Sequence, residues 1–322
     1  MKIIVTGGAG FIGSAVVWRL NQLGYDDILI VDRMDETDKW KNLAPLRFAD
    51  YSDADEFAED VDLMHKDAKC IFHLGACSST TETRADYMLG NNFEYTKLIA
   101  SWAFAHNIRF IYASSAATYG DGSAGMADGT DDLDKLRPLN LYGYSKHIFD
   151  QWAFRNGLFK RIVGLKYFNV FGPNEDHKGD MRSLVNKAFG EINATGMIGL
   201  FRSYNPLFKD GEFGRDFVYV KDAVDMTLHF LENRIGGLFN IGSGEAATWN
   251  ALAHAAFAAL DKKPNIQYID MPEQLRGKYQ YHTQADLTRI RNTGYSKPVT
   301  PLADAVADYI QNYLAPDKHL GD

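Results

Sequence analysis

Residues 6–13 of the sequence, Thr6-Gly-Gly-Ala-Gly-Phe-Ile-Gly13, decide the fold. Gly8, Gly10 and Gly13 satisfy the spacing GxGxxG, and Gly7, Gly10 and Gly13 follow one another at intervals of three residues. The stretch comes directly after an apolar strand pattern at 2–6 and directly before a helical pattern at 12–23. This order of strand, glycine loop and helix is the context in which the spacing indicates a dinucleotide-binding turn. Glycines let the backbone approach a pyrophosphate closely, and the helix N-terminus supplies a partial positive charge. The stretch therefore predicts a dinucleotide-binding α/β fold, with Gly7, Gly10 and Gly13 at the cofactor.

The first half of the chain repeats this alternation. Short apolar runs predict further strands, at 27–31, near 46–49, 70–74 and 109–113. Apolar residues at helical spacing predict helices at 53–64 and 83–106. Strands that alternate with helices of this length form a parallel sheet covered on both faces. We therefore predict the α/β class, with a Rossmann-like, doubly wound parallel sheet.

The second half of the chain is less regular. Its patterns predict three helices, at 142–157, 181–194 and 249–260, and three strands, at 162–168, 217–220 and 238–241. We expect a smaller C-terminal α/β substrate domain that is interwoven with the first. The dinucleotide-binding domain is expected at 1–170 plus about 215–245, and the substrate-binding domain at about 171–214 and 246–322.

Composition narrows the class of protein. The chain has 322 residues, of which 46% are hydrophobic and 24% charged, as in an ordinary globular protein. A net charge of −8 gives no basic surplus, so we expect no nucleic-acid partner. No apolar run approaches the length of a membrane span, and no His or Cys spacing indicates a metal site. Two cysteines without a CxxC pattern exclude a disulfide scaffold and favour the reducing cytoplasm.

The residues after the second predicted strand bear on the choice of cofactor. Asp32 stands where an acidic residue usually bonds the ribose hydroxyls of NAD. Arg33 follows it and Lys39 is close behind, and an arginine there can pair with the 2′-phosphate of NADP. These two signals conflict, so the residues alone leave NAD and NADP open.

Tyr142 and Lys146 form a YxxxK pair, which places phenol and ammonium on one face of a helix. A nearby cation favours the phenolate, so we expect a lowered pKa for Tyr142 and a role in acid–base catalysis. Ser114 and Ser115 end the predicted strand 109–113, at the sheet edge where parallel α/β proteins bind ligands. A hydroxyl there can bond the substrate oxygen that is oxidised.

With these motifs the chain resembles the extended short-chain dehydrogenase/reductase family. The resemblance covers nearly the whole chain and includes segments typical of members that act on nucleotide sugars. These segments are Lys166-Tyr-Phe-Asn-Val-Phe-Gly-Pro173, Arg215-Asp-Phe-Val-Tyr-Val-Lys-Asp222 and Phe239-Asn-Ile-Gly-Ser-Gly244.

Three other segments resemble one subfamily, the ADP-L-glycero-D-manno-heptose 6-epimerases, which serve lipopolysaccharide inner-core synthesis. They are Phe72-His-Leu-Gly-Ala-Cys-Ser-Ser-Thr-Thr-Glu82, Gly172-Pro-Asn-Glu-Asp-His-Lys-Gly179 and Gly277-Lys-Tyr-Gln-Tyr-His-Thr-Gln-Ala-Asp286. This resemblance implies inversion at C6 of the heptose of ADP-D-glycero-β-D-manno-heptose. A bound nicotinamide would take a hydride from C6, and the hydride would return to the other face of a 6-keto intermediate. It also implies NADP as the cofactor, with NAD as the alternative.

The resemblance assigns roles position by position. Tyr142 and Lys178 match the two acid–base residues, Lys146 the residue that holds the nicotinamide ribose, and Ser115 the hydroxyl near the reacting oxygen. Cofactor contacts are implied at a larger set, Gly7, Gly10, Phe11, Ile12, Gly13, Asp32, Arg33, Lys39, Leu74, Gly75, Ala76, Cys77, Ser78, Asn91, Tyr142, Lys146, Val170 and Lys178. Substrate contacts are implied at Asn169, Asp180, Lys187, Phe201, Arg202, Arg215 and Tyr279.

The chain departs from the subfamily at two of these positions. Members often carry Ser at the position of Asp180 and His at that of Lys187, so the fine substrate contacts stay open. The resemblance further implies a homo-oligomer, with a pentamer as its suggested form.

Other functions stay open on the residues alone. A dehydratase commonly has Asp-Glu just after the serine or threonine, where this chain has Ala116 and Ala117. A 4-epimerase or a reductase would keep Ser115, Tyr142 and Lys146. A non-catalytic dinucleotide sensor on the same fold usually loses the tyrosine or the lysine, and both are intact here.

Overall fold

The computed structural model describes residues 1–276 and 279–322, without the side chains of 60, 62–64, 274 and 275. Twelve strands lie in the described residues: β1 (Ile3–Thr6), β2 (Ile28–Asp32), β3 (Asp50–Asp53), β4 (Cys70–His73), β5 (Arg109–Ser115), β6 (Val163–Tyr167), β7 (Asn169–Phe171), β8 (Ile198–Phe201), β9 (Gly214–Tyr219), β10 (Gly237–Ile241), β11 (Ala246–Thr248) and β12 (Ile266–Ile269).

The same residues form eleven α-helices: α1 (Phe11–Gln22), α2 (Ala54–Met64), α3 (Ala85–Leu89), α4 (Tyr95–Ala105), α5 (Leu141–Arg155), α6 (Leu184–Thr195), α7 (Val220–Leu228), α8 (Trp249–Ala259), α9 (Glu273–Arg276), α10 (Thr288–Asn292) and α11 (Leu302–Tyr309). In the described part of the chain no helix is long and apolar enough to cross a membrane.

A seven-stranded parallel sheet forms the centre of the molecule, in the order β10-β6-β5-β4-β1-β2-β3. Its inner strands are apolar on both faces, and every residue of β1, β2 and β4 is buried. Helices cover both faces, and two separate apolar clusters fill the spaces between the sheet and the helices. The predicted Rossmann-like, doubly wound sheet is confirmed.

The chain leaves β1 toward β2 on one side and reaches β4 on the other side. This reversal makes the gap between β1 and β4 the topological switch point, where open α/β sheets bind ligands. The glycine loop follows β1 at this gap, and residues 74–78 follow β4. The fold therefore brings two of the predicted cofactor segments together.

Two smaller sheets lie beyond the carboxyl end of the central sheet. One has the order β11-β9-β7 and the other pairs β12 with β8. The chain passes from the central sheet to the first small sheet at Phe168, which separates β6 from β7. The strand predicted at 162–168 is confirmed as β6, and β7, which was not predicted, follows it in a different sheet.

The predicted position of the third strand, near 46–49, is wrong, because the strand lies about four residues later, at Asp50–Asp53. The strand that follows β2 pairs at Asp50–Asp53, where Leu29 lies opposite Asp50, while Leu46 and Phe48 pack their side chains against the core. β3 is an edge strand with exposed and half-buried residues, so its sequence is polar and carries no apolar signal.

The helix predicted at 83–106 is interrupted within its length. Residues 90–94 form a single π-helical turn between α3 and α4. Such turns insert one residue into a helix and are frequent at functional sites. Periodicity cannot show this insertion, because the apolar residues on either side keep helical spacing.

Candidate functional site

A cavity of about 860 Å³ opens at the carboxyl ends of β1, β4, β5 and β6. Most of the predicted cofactor and catalytic residues line it, namely Gly7, Gly10, Phe11, Ile12, Gly13, Asp32, Lys39, Leu74, Gly75, Ala76, Cys77, Ser78, Ser115, Tyr142, Lys146, Val170 and Lys178. Arg33 and Asn91 do not line it. They hydrogen-bond each other at 2.8 Å, and Arg33 directly follows Asp32, which lines the cavity.

The glycine loop is shaped by close backbone contacts. Gly7 has a φ of +68°, and a Cβ on it would lie 2.5 Å from the backbone of Gly75. A Cβ on Gly13 would lie 1.9 Å from the carbonyl oxygen of Gly7. A side chain at Gly7 would therefore push apart the loops after β1 and β4, and one at Gly13 would push the start of α1 away from the glycine loop. The open cradle that the glycines leave at the start of α1 fits a dinucleotide pyrophosphate.

The Asp32 carboxylate is held by the protein itself. Its Oδ2 accepts from the backbone N–H of Ala9 in the glycine loop at 2.9 Å, and its Oδ1 accepts from Lys39 Nζ at 2.9 Å. The adjacent Arg33 forms an ion pair with Asp55, beyond the end of β2. Asp32 thus ties the glycine loop to Lys39, and both residues line the cavity.

The loop after β4 is fixed by an asparagine that sequence reasoning missed. The buried Asn92 accepts from the backbone N–H of Cys77 at 2.8 Å and donates to the carbonyl oxygen of Cys77 at 2.9 Å. Its amide also donates to Ser145 Oγ, on the helix of Tyr142 and Lys146. The π-helical turn at 90–94 carries Asn92, so this turn connects the cofactor loop to α5.

Ser115, Tyr142 and Lys146 meet in the cavity as the sequence predicts. Ser115 and Tyr142 both line the cavity, and Lys146, only 3% exposed, lies one helical turn after Tyr142 along α5. Burial lowers the pKa of Lys146 to about 8. The expected lowered pKa of Tyr142 is wrong for this structure: burial raises the pKa, and the nearby Ser115 hydroxyl only partly opposes this shift.

A buried charged network lies directly behind these residues. Asp150, one turn after Lys146, accepts from Lys166 Nζ at 2.8 Å, and neither side chain is exposed. Asp150 also accepts from Ser114 Oγ at 2.8 Å and from Tyr112 Oη at 2.7 Å. The network therefore fastens α5 to the ends of β5 and β6. Ser115 is the last residue of β5.

Lys178 enters the cavity from the loop after β7. Its ammonium lies 5.0 Å from the ring centre of Phe11, the first residue of α1, and 4.0 Å from the buried carboxylate of Glu175. Burial lowers the pKa of Lys178, and Glu175 opposes this shift. The neighbouring His177, which was not predicted, also lines the cavity, and burial lowers its pKa to about 4.

The predicted substrate residues do not all meet at the cavity. Asn169 lines it, whereas Asp180, Lys187, Phe201, Arg202, Arg215 and Tyr279 do not. Lys187 Nζ donates to the backbone carbonyl of Asp180 at 2.6 Å, and the Arg215 guanidinium lies 4.9 Å from the ring centre of Tyr279. Gly277 and Lys278 of the third subfamily segment lie outside the described residues.

The far end of the cavity is lined by residues that sequence reasoning missed, among them Phe217, Trp249 and Leu252. Phe217 could have been found from its spacing, because it lies two residues after Arg215 and so shares its face of β9. Trp249 begins α8 and gives no local signal, since only the pairing of β11 with β9 brings it to the cavity.

A dinucleotide cradle and a Ser–Tyr–Lys group in one cavity define a class of protein: Rossmann-fold enzymes that use a nicotinamide cofactor to oxidise or reduce a carbon that bears oxygen. The comparison with family models agrees, since residues 3–242 match the NAD dependent epimerase/dehydratase family. The chain belongs to this family.

Full-length relatives narrow the comparison. The chain is 50% identical, over 98% of its length and 99% of the relative's, to a protein of Nitratidesulfovibrio vulgaris strain Hildenborough named ADP-L-glycero-D-manno-heptose-6-epimerase. It is 47% identical to a protein of the same name from Fusobacterium nucleatum, over 97% of this chain and 98% of that protein.

Solved structures show the same fold. The Helicobacter pylori ADP-L-glycero-D-manno-heptose-6-epimerase superposes with a TM-score of 0.82 at 26% identity, covering 97% of this chain and 95% of that chain. The UDP-glucose 4-epimerase of Thermus thermophilus, solved with NAD, superposes at 0.76 with 22% identity, over 96% of this chain and 98% of that chain. At this identity the second likeness concerns the fold alone.

Proposed function

We propose that the protein inverts C6 of the heptose in ADP-D-glycero-β-D-manno-heptose and so forms ADP-L-glycero-β-D-manno-heptose. The observation that carries this proposal is the meeting of Ser115, Tyr142 and Lys146 in the dinucleotide cavity of a chain that is 50% identical over its length to a protein of that name. The product would serve lipopolysaccharide inner-core synthesis.

The chain's own residues would supply the proton chemistry and the binding of both ligands. When bound, the nicotinamide accepts a hydride from C6 and returns it. Tyr142 would exchange the proton of the C6 oxygen in one orientation of the sugar, Ser115 would hydrogen-bond that oxygen, and Lys146 would hold the nicotinamide ribose. Lys178 is proposed as the second acid–base group, because the second hydride transfer uses the other face of the 6-keto sugar.

The cofactor that we propose is NADP. The Asp32 carboxylate already accepts hydrogen bonds from Lys39 Nζ and from the Ala9 N–H, so it is not free to select a ribose diol. The positive charge of Lys39 also offsets the repulsion between Asp32 and a 2′-phosphate. Arg33 is paired with the exposed Asp55, and we propose that its guanidinium exchanges this partner for the 2′-phosphate. We expect the apoprotein to bind NADP⁺ at least about ten-fold more tightly than NAD⁺ in a calorimetric titration; tighter binding of NAD⁺ would reverse this assignment.

The two parts of the chain would divide the ligands between them. We propose that 1–170 with about 215–245 binds the dinucleotide, while about 171–214 and 246–322 bind the nucleotide sugar. A homo-oligomer, in pentameric form, and a cytoplasmic location complete the proposal. Light scattering on the purified protein would test the first, with a mass five times that of one chain as the expected result.

Incubation of the purified holoenzyme with ADP-D-glycero-β-D-manno-heptose, with no added cofactor, tests the proposed activity. Proton NMR should show conversion of the C6 signals to those of the L-glycero epimer. No conversion by protein that carries its cofactor would reject the heptose as substrate, and other nucleotide sugars would then be tested against the same site.

A further inference from the structure

Asn42 is a buried polar residue that neither the motifs nor the cavity lining singles out. It ends the short 3₁₀ turn Asp38–Asn42, which follows β2 and also carries Lys39. The residue is only 2% exposed and does not line the cavity. Buried side-chain amides are nearly always hydrogen-bonded, so the partners of Asn42 show which parts of the molecule it holds together.

The Asn42 amide joins the glycine loop to the loop after β7, which carries Lys178. Its Nδ2 donates to the carbonyl oxygen of Ala9 at 3.0 Å and to that of Asn174 at 3.1 Å. The same atom lies 3.3 Å from His177 Nδ1. An amide nitrogen donates and does not accept, so His177 Nδ1 is an acceptor that shares the two amide hydrogens with the carbonyls. One side chain thus contacts a residue of the glycine loop and two residues of the loop after β7.

The turn that ends at Asn42 is fixed on the cofactor side of the cavity. Lys39, in this turn, pairs with Asp32 at 2.9 Å, and Asp32 accepts from the backbone N–H of Ala9. The N–H of Ala9 is therefore held by Asp32 and its carbonyl oxygen by Asn42. Because Asn42 is fixed relative to the glycine loop, the groups that it binds in the loop after β7 are fixed relative to the glycine loop as well.

Two side chains of α6 also hold the loop after β7. Asn186 Nδ2 donates to Asp176 Oδ1 at 2.7 Å, and Lys187 Nζ donates to the carbonyl oxygen of Asp180 at 2.6 Å. These contacts keep the loop folded against α6, but α6 does not touch the glycine loop through them. The hydrogen bonds of Asn42 are what set the distance between the two loops.

We propose that Asn42 is a positioning residue, which holds the loop after β7 on the glycine loop and thereby keeps the Lys178 ammonium within reach of the reacting carbon. The proposal rests on the proposed function, because that function makes Lys178 the second acid–base group. Asn42 itself would touch neither substrate nor cofactor. A proton-transfer group must lie within hydrogen-bond reach of its proton, and a misplacement of about 1 Å can cost about 10²-fold in rate.

The variant Asn42→Ala removes the amide and tests this proposal. Asn174 should stay attached in the variant, because its Nδ2 donates to Ser14 Oγ at 2.9 Å and its Oδ1 accepts from the backbone N–H of Leu320 at 2.9 Å. The fold should therefore persist while Lys178 is misplaced. We expect kcat of the holoenzyme to fall at least about ten-fold, with KM for the nucleotide sugar within about two-fold of wild type. An unchanged kcat would overturn the proposal.

A double-mutant cycle with Lys178→Met shows whether Asn42 acts through Lys178. If it does, Asn42→Ala should change kcat by less than about two-fold in protein that already lacks the ammonium. An equal loss of kcat in the two backgrounds would overturn the proposal, because it would mean that Asn42 supports the cavity without involving Lys178.

Asn21→Ala is the matched control. Asn21, near the end of α1, donates from Nδ2 to the carbonyl oxygens of Tyr25 and Arg47 at 3.0 and 2.8 Å. It therefore also joins two segments through one amide, but it does not line the cavity or contact the loop after β7. Both variants should lower the melting temperature, and only Asn42→Ala should lower kcat. An equal fall in kcat for the two variants would overturn the proposal.

Hydrogen exchange separates failure of this inference from failure of the proposed function. The backbone N–H of Lys178 donates to the carbonyl oxygen of Glu175 at 3.0 Å. In the cofactor-loaded protein, mass spectrometry of a peptide spanning 175–183 should show this exchange at least about ten-fold faster in Asn42→Ala and unchanged in Asn21→Ala. Unchanged exchange in Asn42→Ala would overturn the proposal. Faster exchange with a wild type that does not invert the heptose would support the positioning and reject only the proposed function.

Discussion

At the scale of single residues, Tyr142 carries the sharpest prediction. Tyr142→Phe removes the hydroxyl that would exchange a proton with the substrate and leaves the ring in the cavity wall. We expect kcat to fall by about 10²–10⁴-fold, as general acid–base catalysis implies, with the bound dinucleotide retained. Tyr144→Phe, on the exposed face of the same helix, is the control and should act like the wild type. A variant at position 142 with near-normal turnover would remove the phenol from the mechanism.

Lys178 carries a second prediction at this scale. Lys178→Met keeps the length of a side chain that packs on Phe11 but removes its ammonium. We expect epimerisation to slow by about 10²-fold or more, with the melting temperature within a few degrees of wild type. Lys209→Met, at an exposed position, serves as the control. An unchanged rate would leave Lys178 without a catalytic role.

Residue types and spacings predicted which side chains meet, but not their electrostatics. Ser115, Tyr142 and Lys146 line one cavity, as their motifs indicate, and Lys178, which only the family resemblance implied, lines it too. The direction of the pKa shift of Tyr142 could not be predicted, because it depends on how deeply the tertiary structure buries the phenol.

At the scale of elements, the pair Lys166–Asp150 fastens α5 to the central sheet. Lys166→Met leaves a carboxylate buried without its cation, although Ser114 and Tyr112 still donate to it. Breaking a buried pair in this way costs about 3–5 kcal/mol, so the free energy of unfolding in urea should fall by that amount.

Arg155→Met is the matched control for this measurement. It breaks the exposed pair Arg155–Asp134 at the end of the same helix, and exposed pairs contribute at most about 1 kcal/mol. Equal effects of the two variants would show that the buried pair does not hold α5.

His73 lies buried where β1, β4 and α4 meet, and its environment implies that the free energy of unfolding depends on pH. Its Nδ1 lies 2.7 Å from Thr6 Oγ1 and its Nε2 2.9 Å from Thr96 Oγ1, and burial lowers its pKa to about 3. The unfolded chain therefore binds one more proton than the folded chain between pH 6.5 and about 3. Its contribution to the free energy of unfolding should fall by about 1.4 kcal/mol for each pH unit below about 6.5.

Unfolding titrations in urea from about pH 7 to about pH 5 would measure this slope. His73→Gln should flatten it, whereas His254→Gln, at an exposed position of α8, should leave it unchanged. A slope that His73→Gln does not alter would assign the acid sensitivity to other groups.

Elements with an apolar core face were predictable, and those defined by tertiary pairing were not. The runs at β1, β2, β4 and β5 lie where the pattern placed them, because buried strands must be apolar. The edge strand β3 was misplaced, since its polar residues lie in a strand only through pairing with β2. The π-helical turn at 90–94 could not be predicted for the same reason, since it depends on the tertiary contact between Asn92 and the loop of Cys77.

At the scale of the whole molecule, strand–helix alternation predicted the central parallel sheet. It could not predict how the second half folds back over that sheet, because β9, β11 and α8 reach the cavity through contacts between segments distant in sequence. The end of the cavity that is lined by Phe217, Trp249 and Leu252 is therefore where motif and structure diverge most.

The central claim, that the C6 hydrogen is carried as a hydride on a bound dinucleotide, is tested most directly by epimerisation in D₂O. The holoenzyme is incubated with ADP-D-glycero-β-D-manno-heptose, and the C6 proton of the product is followed by NMR. Since a hydride does not exchange with solvent, we predict inversion with the original hydrogen fully retained at C6. Inversion with deuterium at C6 would contradict the account, because it would mean that the hydrogen leaves as a proton.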